Sequence, residues 1–146
     1  MITVKDIIKK KGSEVYSISP DATVEQALRL MAEKEVGALM VMDGEKMKGI
    51  FSERDYARRG FLIGCSELGK VSQLMTKTLV YIGLEDTVED CMNKMTDKHI
   101  RHLPIIKDGK LAGMISIGDI VKAIITDQKN MIQNLEDYMQ GSGYAR

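Results

Sequence analysis

The stretch VYSISPDATVEQALRLMAEKEVGALMVMDGEKMKGIFSERDYARRG, residues 15–60, lies without a gap over LVYIGLEDTVEDCMNKMTDKHIRHLPIIKDGKLAGMISIGDIVKAI, residues 79–124. Eleven of the 46 positions are identical: Ile18/Ile82, Thr23/Thr87, Val24/Val88, Glu25/Glu89, Met31/Met95, Lys34/Lys98, Leu39/Leu103, Lys46/Lys110, Gly49/Gly113, Ser52/Ser116 and Asp55/Asp119. What both copies keep is fold or shared chemistry; where they differ, the halves are free to do different work. A unit of this size rarely stands alone, and 146 residues make one ordinary domain. The expectation is one domain of two half-domains. Residues 1–62 form the first repeat, 63–70 a bridge, 71–126 the second repeat, and 127–146 a C-terminal helix and tail.

Working outward from the repeat, each copy reads β-α-β-β-α behind a short helical turn. Val4, Ile7 and Ile8 share the i, i+3, i+4 spacing of Val71, Leu74 and Met75. Strands are expected at Val15–Ile18 and Leu79–Ile82. Helices start at Thr23 and Thr87, with Gln26 and Asp90 completing capping boxes. Their buried stripes are Val24, Ala27, Leu28, Met31 and Val88, Cys91, Met92, Met95. Hairpins follow, Ala38–Met42 with Met47–Phe51 and Leu103–Ile106 with Leu111–Ile115. They turn at Asp43-Gly44 and Asp108-Gly109, one residue out of phase. Second helices begin at Ser52 and Ser116, burying Tyr56, Ala57, Phe61 and Ile120, Val121, Ile124, Ile125. A stripe of Met131, Leu135 and Tyr138 carries the last helix to about Gln140. The fold class is α/β (α+β).

Composition excludes several function classes. Twenty-one basic and 21 acidic residues leave zero formal charge, which draws neither a nucleic-acid backbone nor an anionic membrane. No window approaches the ~18 apolar residues of a membrane span. Cys91 takes the place of Ala27 and reads as core, and Cys65 falls in the bridge, so no structural disulfide and a cytoplasmic setting are expected. His99 and His102 have no cysteine or carboxylate cluster at ligand spacing, so no metal is expected. Neither histidine has an evident nucleophile partner, so the chain does not read as an enzyme. Arg58 and Arg59 read as the solvated face of their helix.

The most pointed pattern is Gly49-Ile-Phe-Ser52-Glu-Arg-Asp55 and its twin Gly113-Met-Ile-Ser116-Ile-Gly-Asp119. A hydroxyl and a carboxylate three apart at a strand-to-helix junction make an N-cap, and capping alone explains the spacing. The same geometry serves a ribonucleotide. The carboxylate accepts from a cis-diol, the helix start favours phosphate, and the glycine permits close approach to the backbone.

Two β-α-β-β-α repeats, an apolar strand with Leu103-Pro104, and G-h-x-S-x-x-D in each copy resemble a cystathionine β-synthase (CBS) domain pair over about residues 1–126. The phrases Ser52-Glu-Arg-Asp-Tyr56, Ile100-Arg-His-Leu-Pro104 and Ser116-Ile-Gly-Asp119 are most similar to small stand-alone members. The resemblance implies adenosyl ligands: AMP, ADP, ATP or NAD(H), with S-adenosylmethionine ranked behind them. It implies Asp55 and Asp119 on ribose, with Ser52 and Ser116 beside them. Thr78, Val80, Tyr81 and Pro104, or Tyr16 and Ile18 in the other copy, become adenine walls. It also implies a homodimer.

Differences between the copies sharpen this expectation. Arg101-His102 replace Gly37-Ala38, and Glu53-Arg54 replace Ile117-Gly118. Arg54, Arg101 and His102 could therefore meet on one phosphate across the pair. The expected result is one well-furnished site, using Ser116 and Asp119, and a poorer partner. The chain reads as a sensor that binds an adenosine nucleotide and signals energy or redox state to an unknown effector protein. The alternative is a dimerisation scaffold that binds no ligand.

Overall fold

A computed structural model describes residues 1–60 and 69–141. Its helices are α1 (Val4–Lys11), α2 (Val24–Lys34), α3 (Glu53–Asp55), α4 (Val71–Leu74), α5 (Val88–Lys98) and α6 (Ile117–Gln140). Its strands are β1 (Ser17–Ile18), β2 (Ala38–Asp43), β3 (Lys46–Ser52), β4 (His102–Lys107) and β5 (Lys110–Ser116). The expected order is present in the first repeat, and in the second it lacks only the opening strand.

Local chemistry fixes these boundaries. Thr23 and Thr87 cap α2 and α5 reciprocally with Gln26 and Asp90, satisfying otherwise orphaned N–H groups. Both helices end on a left-handed residue at equivalent positions, Glu35 and His99, each with φ 55°. The hairpins also match. Asp43 pairs with Lys46 and Lys107 with Lys110, so the turn residues are Gly44-Glu45 and Asp108-Gly109. The turns are therefore in phase, and Asp43 is the last residue of its strand. Gly44 at the first central position, φ 62°, suits a two-residue hairpin loop.

β1 runs parallel to β2, which is antiparallel to β3. The second copy has β4 antiparallel to β5, and its expected first strand is reduced to one parallel bridge, Ile82 to Ile105. That bridge repeats the register of Ile18 with Val41. The second half of each repeat departs from duplication. After α3 the chain makes a π-type turn, Tyr56–Gly60, whereas α6 continues unbroken through residue 126 to Gln140. The expected division between second repeat and C-terminal helix is thus internal to one helix. Met92, Val121, Ile125 and Ala57 are exposed rather than buried. Phe61 and Cys65 lie outside the described residues.

Two cores form, and each borrows its opening helix from the other repeat. Val4 and Ile7 of α1 pack with Ile82, Cys91, Leu103, Ile115 and Ile120. Val71, Leu74 and Met75 pack with Val24, Ala27, Leu39 and Phe51. Backbone bonds tie the exchange, Val4 N to Asp86 O at 2.8 Å and Val71 N to Ala22 O at 2.9 Å. The sequence boundaries at 62 and 71 therefore do not divide the molecule in space.

Candidate functional site

The Ser/Asp motif is a capping box in both copies. Ser52 N and Oγ donate to Asp55 Oδ2 at 2.9 and 3.1 Å, and Asp55 N donates back to Ser52 Oγ at 3.2 Å. Ser116 N donates to Asp119 Oδ2 at 2.9 Å. Capping uses one carboxylate oxygen and leaves the other for further work. In the first copy Thr76 Oγ1 donates to Asp55 Oδ1 at 3.1 Å. A carboxylate oxygen takes more than one bond, so Oδ1 retains room for a ligand hydroxyl. Of the two copies, only Ser116 and Asp119 open a long helix, because α3 is a single three-residue turn.

At Gly49 the close approach to the backbone is made by the chain itself. A Cβ on Gly49 would lie 2.6 Å from the Thr76 carbonyl oxygen. What approaches the backbone there is the chain's own next segment, bonded as Ile50 N to Thr76 O and Thr76 N to Ile50 O. Gly49 thus brings Thr76 up to Asp55.

Asp55 opens into a cleft of about 340 Å³, within the range of small-molecule sites. Its apolar wall includes Ile50, Val80, Ile100 and Pro104. Arg54, Arg58 and Arg59 come from the first repeat, and Lys98 and Arg101 from the second. Asp55 is the one carboxylate among the described lining residues. Arg54 donates to His99 O at 3.3 Å. Desolvation, then the neighbouring Arg58 and Arg101 charges, hold its guanidinium below the ordinary arginine range.

A second cleft of about 380 Å³ surrounds Asp119, with Lys11, Glu14, Tyr16, Gly37 and Ala38 among its lining. Here an ammonium bonds the capping oxygen, whereas in the first cleft a hydroxyl bonds the other one. Lys11 Nζ lies 2.6 Å from Asp119 Oδ2 and 2.9 Å from Met114 O. Burial raises the Asp119 carboxyl, but the Lys11 and Ser116 hydrogen bonds outweigh it and leave it below the usual range. His102 lines both clefts, and its Nε2 would lie 3.4 Å from a Cβ at Gly37. Burial pulls that imidazole below its ordinary value.

The expected site residues therefore divide. Ser52, Arg54, Asp55, Thr78, Val80, Arg101, His102 and Pro104 share the first cleft. Ser116, Asp119 and Tyr16 belong to the second. The better-furnished cleft is built on Ser52 and Asp55, the reverse of the expectation. Each motif faces the opening strand of the other repeat, a pairing that the sequence offset cannot reveal. Tyr81 leaves the set. Neighbours in extended chain point to opposite sides, so Val80 faces the cleft while Tyr81 is 55% exposed under Lys94. Ile18 packs on the first core. Arg58 and Arg59 are exposed, as expected, and they also line the cleft; Thr76 gave no signal in the sequence.

The profile of the CBS domain matches residues 4–60 and 71–126. The chain belongs to the CBS-domain family. Its CBS pair is 38% identical to "CBS domain-containing protein CBSX3, mitochondrial" of Arabidopsis thaliana, over 97% of this chain and 73% of that protein. The crystal structure of the CBS domain NE2398 is 43% identical, with TM-score 0.81, covering 84% of this chain and 97% of that one. A CBS domain pair of protein MJ0100, crystallised with 5-methylthioadenosine and S-adenosyl-L-methionine, shares the fold at 18% identity, with TM-score 0.77, over 87% and 98% of the chains. Among the described residues of this CBS pair, no helix is long and apolar enough to cross a membrane.

Proposed function

We propose that this CBS pair is a non-catalytic regulatory module that binds an adenosine nucleotide (AMP, ADP, ATP or NAD(H)) in the Asp55 cleft and signals to a partner protein. One observation carries the reading: the Asp55 carboxylate shares one cleft with an apolar wall and with cations drawn from both repeats. Base, diol and phosphate each have a matching surface. Because both repeats supply that surface, occupancy favours one arrangement of the pair over others. The adenosine-containing ligands of the distant MJ0100 pair support the ligand class. S-adenosylmethionine fits this cleft less well, since its sulfonium adds positive charge to a basic wall.

Direct binding tests the reading. Any nucleotide at 100 times its dissociation constant should stabilise the fold by about 2.7 kcal/mol. AMP should bind roughly tenfold more tightly than 2′-deoxy-AMP, if Asp55 reads the diol. If no adenosine compound stabilises the protein, the sensor reading is wrong. The exposed apolar residues of α6, including Ile132, Leu135 and Met139, keep the scaffold reading in view and support a homodimer in either case. The buried Cys91 thiol fits a reducing, cytoplasmic setting.

A further inference from the structure

We propose that Arg58 and Arg59 recognise the phosphate groups beyond the first, so that the Asp55 cleft selects adenosine polyphosphates over the monophosphate. The inference rests on the nucleotide reading of that cleft and deepens it.

The cleft carries five cationic side chains against one carboxylate among the described residues. That carboxylate is held in place by Ser52 on Oδ2 and by Thr76 on Oδ1, and its single charge cannot balance five cations. Ion pairs among the described residues lie elsewhere: Lys11 with Asp119, Arg29 with Glu25, Lys34 with Glu33 and Lys70 with Asp21. None of the five cleft cations forms one of these pairs, and the Asp55 charge acts on Arg54. Like charges gathered without a counter-charge are unfavourable, and a bound anion relieves them. Desolvation first, and then the Arg58 and Arg101 charges, hold the Arg54 guanidinium below its ordinary range against the opposing pull of Asp55.

Charge then decides between ligands. A phosphate monoester brings about two negative charges at neutral pH, so AMP leaves about two positive charges in the cleft unbalanced. Each further phosphate moves the site towards balance, and bidentate guanidinium contacts suit such oxygens. Position agrees with charge. Asp55 marks the ribose end, and Arg54 is its immediate neighbour. Arg58 and Arg59 follow in the π-type turn Tyr56–Gly60, which departs from α-helical spacing and leaves both on the cleft wall. A phosphate chain that begins at Arg54 and runs along the turn meets them next.

Calorimetric titration of the full chain with adenosine, AMP, ADP and ATP, in EDTA and at fixed salt, tests this. ATP should bind at least about tenfold more tightly than AMP. Arg58→Ala and Arg59→Ala should each weaken ATP by about tenfold, leave AMP within about twofold, and be partly rescued by Lys. Arg29→Ala, remote in the chain and paired with Glu25, should change neither ligand. Equal ATP and AMP affinities in the wild type would overturn the inference while leaving the nucleotide reading intact. So would equal losses for both ligands in the arginine variants. Failure of every adenosine compound to bind would instead remove the nucleotide reading, and this inference with it.

Discussion

Gly49→Ala should damage the fold and the Asp55 cleft together. The added Cβ would sit 2.6 Å from the Thr76 carbonyl oxygen, 3.0 Å from Met75 Sδ and 3.2 Å from Met75 Cγ. The methionine end can turn aside, but the carbonyl cannot. It is pinned by paired backbone bonds with Ile50, at 3.0 and 2.8 Å. Relief requires moving the segment behind α4, which also seats Val71 and Leu74 in the first core. Overpacking of this kind costs about 1–3 kcal/mol. For a chain of 146 residues, with an unfolding entropy near 0.3 kcal/mol/K, that lowers Tm by roughly 3–10 °C. Gly37→Ala is the comparison, since its Cβ would meet His102 Nε2 at an ordinary 3.4 Å. Differential scanning calorimetry of the three proteins measures the effect. A Gly49→Ala protein that melts with the wild type would refute the claim that this glycine exists to admit Thr76. So would an equal shift in Gly37→Ala.

Two further outcomes follow from the titrating groups. Lys11→Met removes a partly exposed ion pair, expected to contribute about 0.2–1 kcal/mol. Asp119 has its folded pKa lowered, so this stability is present above the unfolded value near 3.8 and disappears as pH falls through the folded value. The gap in urea midpoint between wild type and Lys11→Met should accordingly close under acid. A gap unchanged at pH 2 would exclude the pairing. Burial, with minor help from Asp86 and Asp90, pushes the Cys91 thiol up to about 11. In a Cys65→Ser protein, iodoacetamide at pH 8 should label Cys91 far faster after denaturation than before. Equal rates would mean that the second core does not enclose it.

The elements were legible where their determinants are local. Thr23 with Gln26 and Thr87 with Asp90 announce helix starts within four residues, and the hairpins announce themselves by alternation and glycine. The phase of the turns was misread because Asp43-Gly44 looks like a turn pair, whereas cross-strand pairing makes Asp43 a strand residue. The shared Ser/Asp signature was found because both copies print it. Its partners were not, because nothing in a repeat says which copy each motif faces. Arg58 and Arg59 are exposed, as read, but nothing in their spacing says that the π-type turn also sets them on the cleft wall. Val121 and Ile125 match a buried stripe by spacing alone, yet α6 leaves them uncovered. Spacing reports which residues share a face, not whether anything packs on it.

The exchange of α1 and α4 between the two cores has a consequence for how the halves stay together. Each half completes its hydrophobic interior with a helix supplied from the other side of the bridge. Were the halves separate chains, that exchange would be bimolecular and would weaken on dilution. The covalent connection makes it intramolecular, so it does not weaken on dilution. The same tether delivers Thr76 to one carboxylate and α1 delivers Lys11 to the other. Duplication thus left two unequal clefts on one concentration-independent frame, with His102 shared between them.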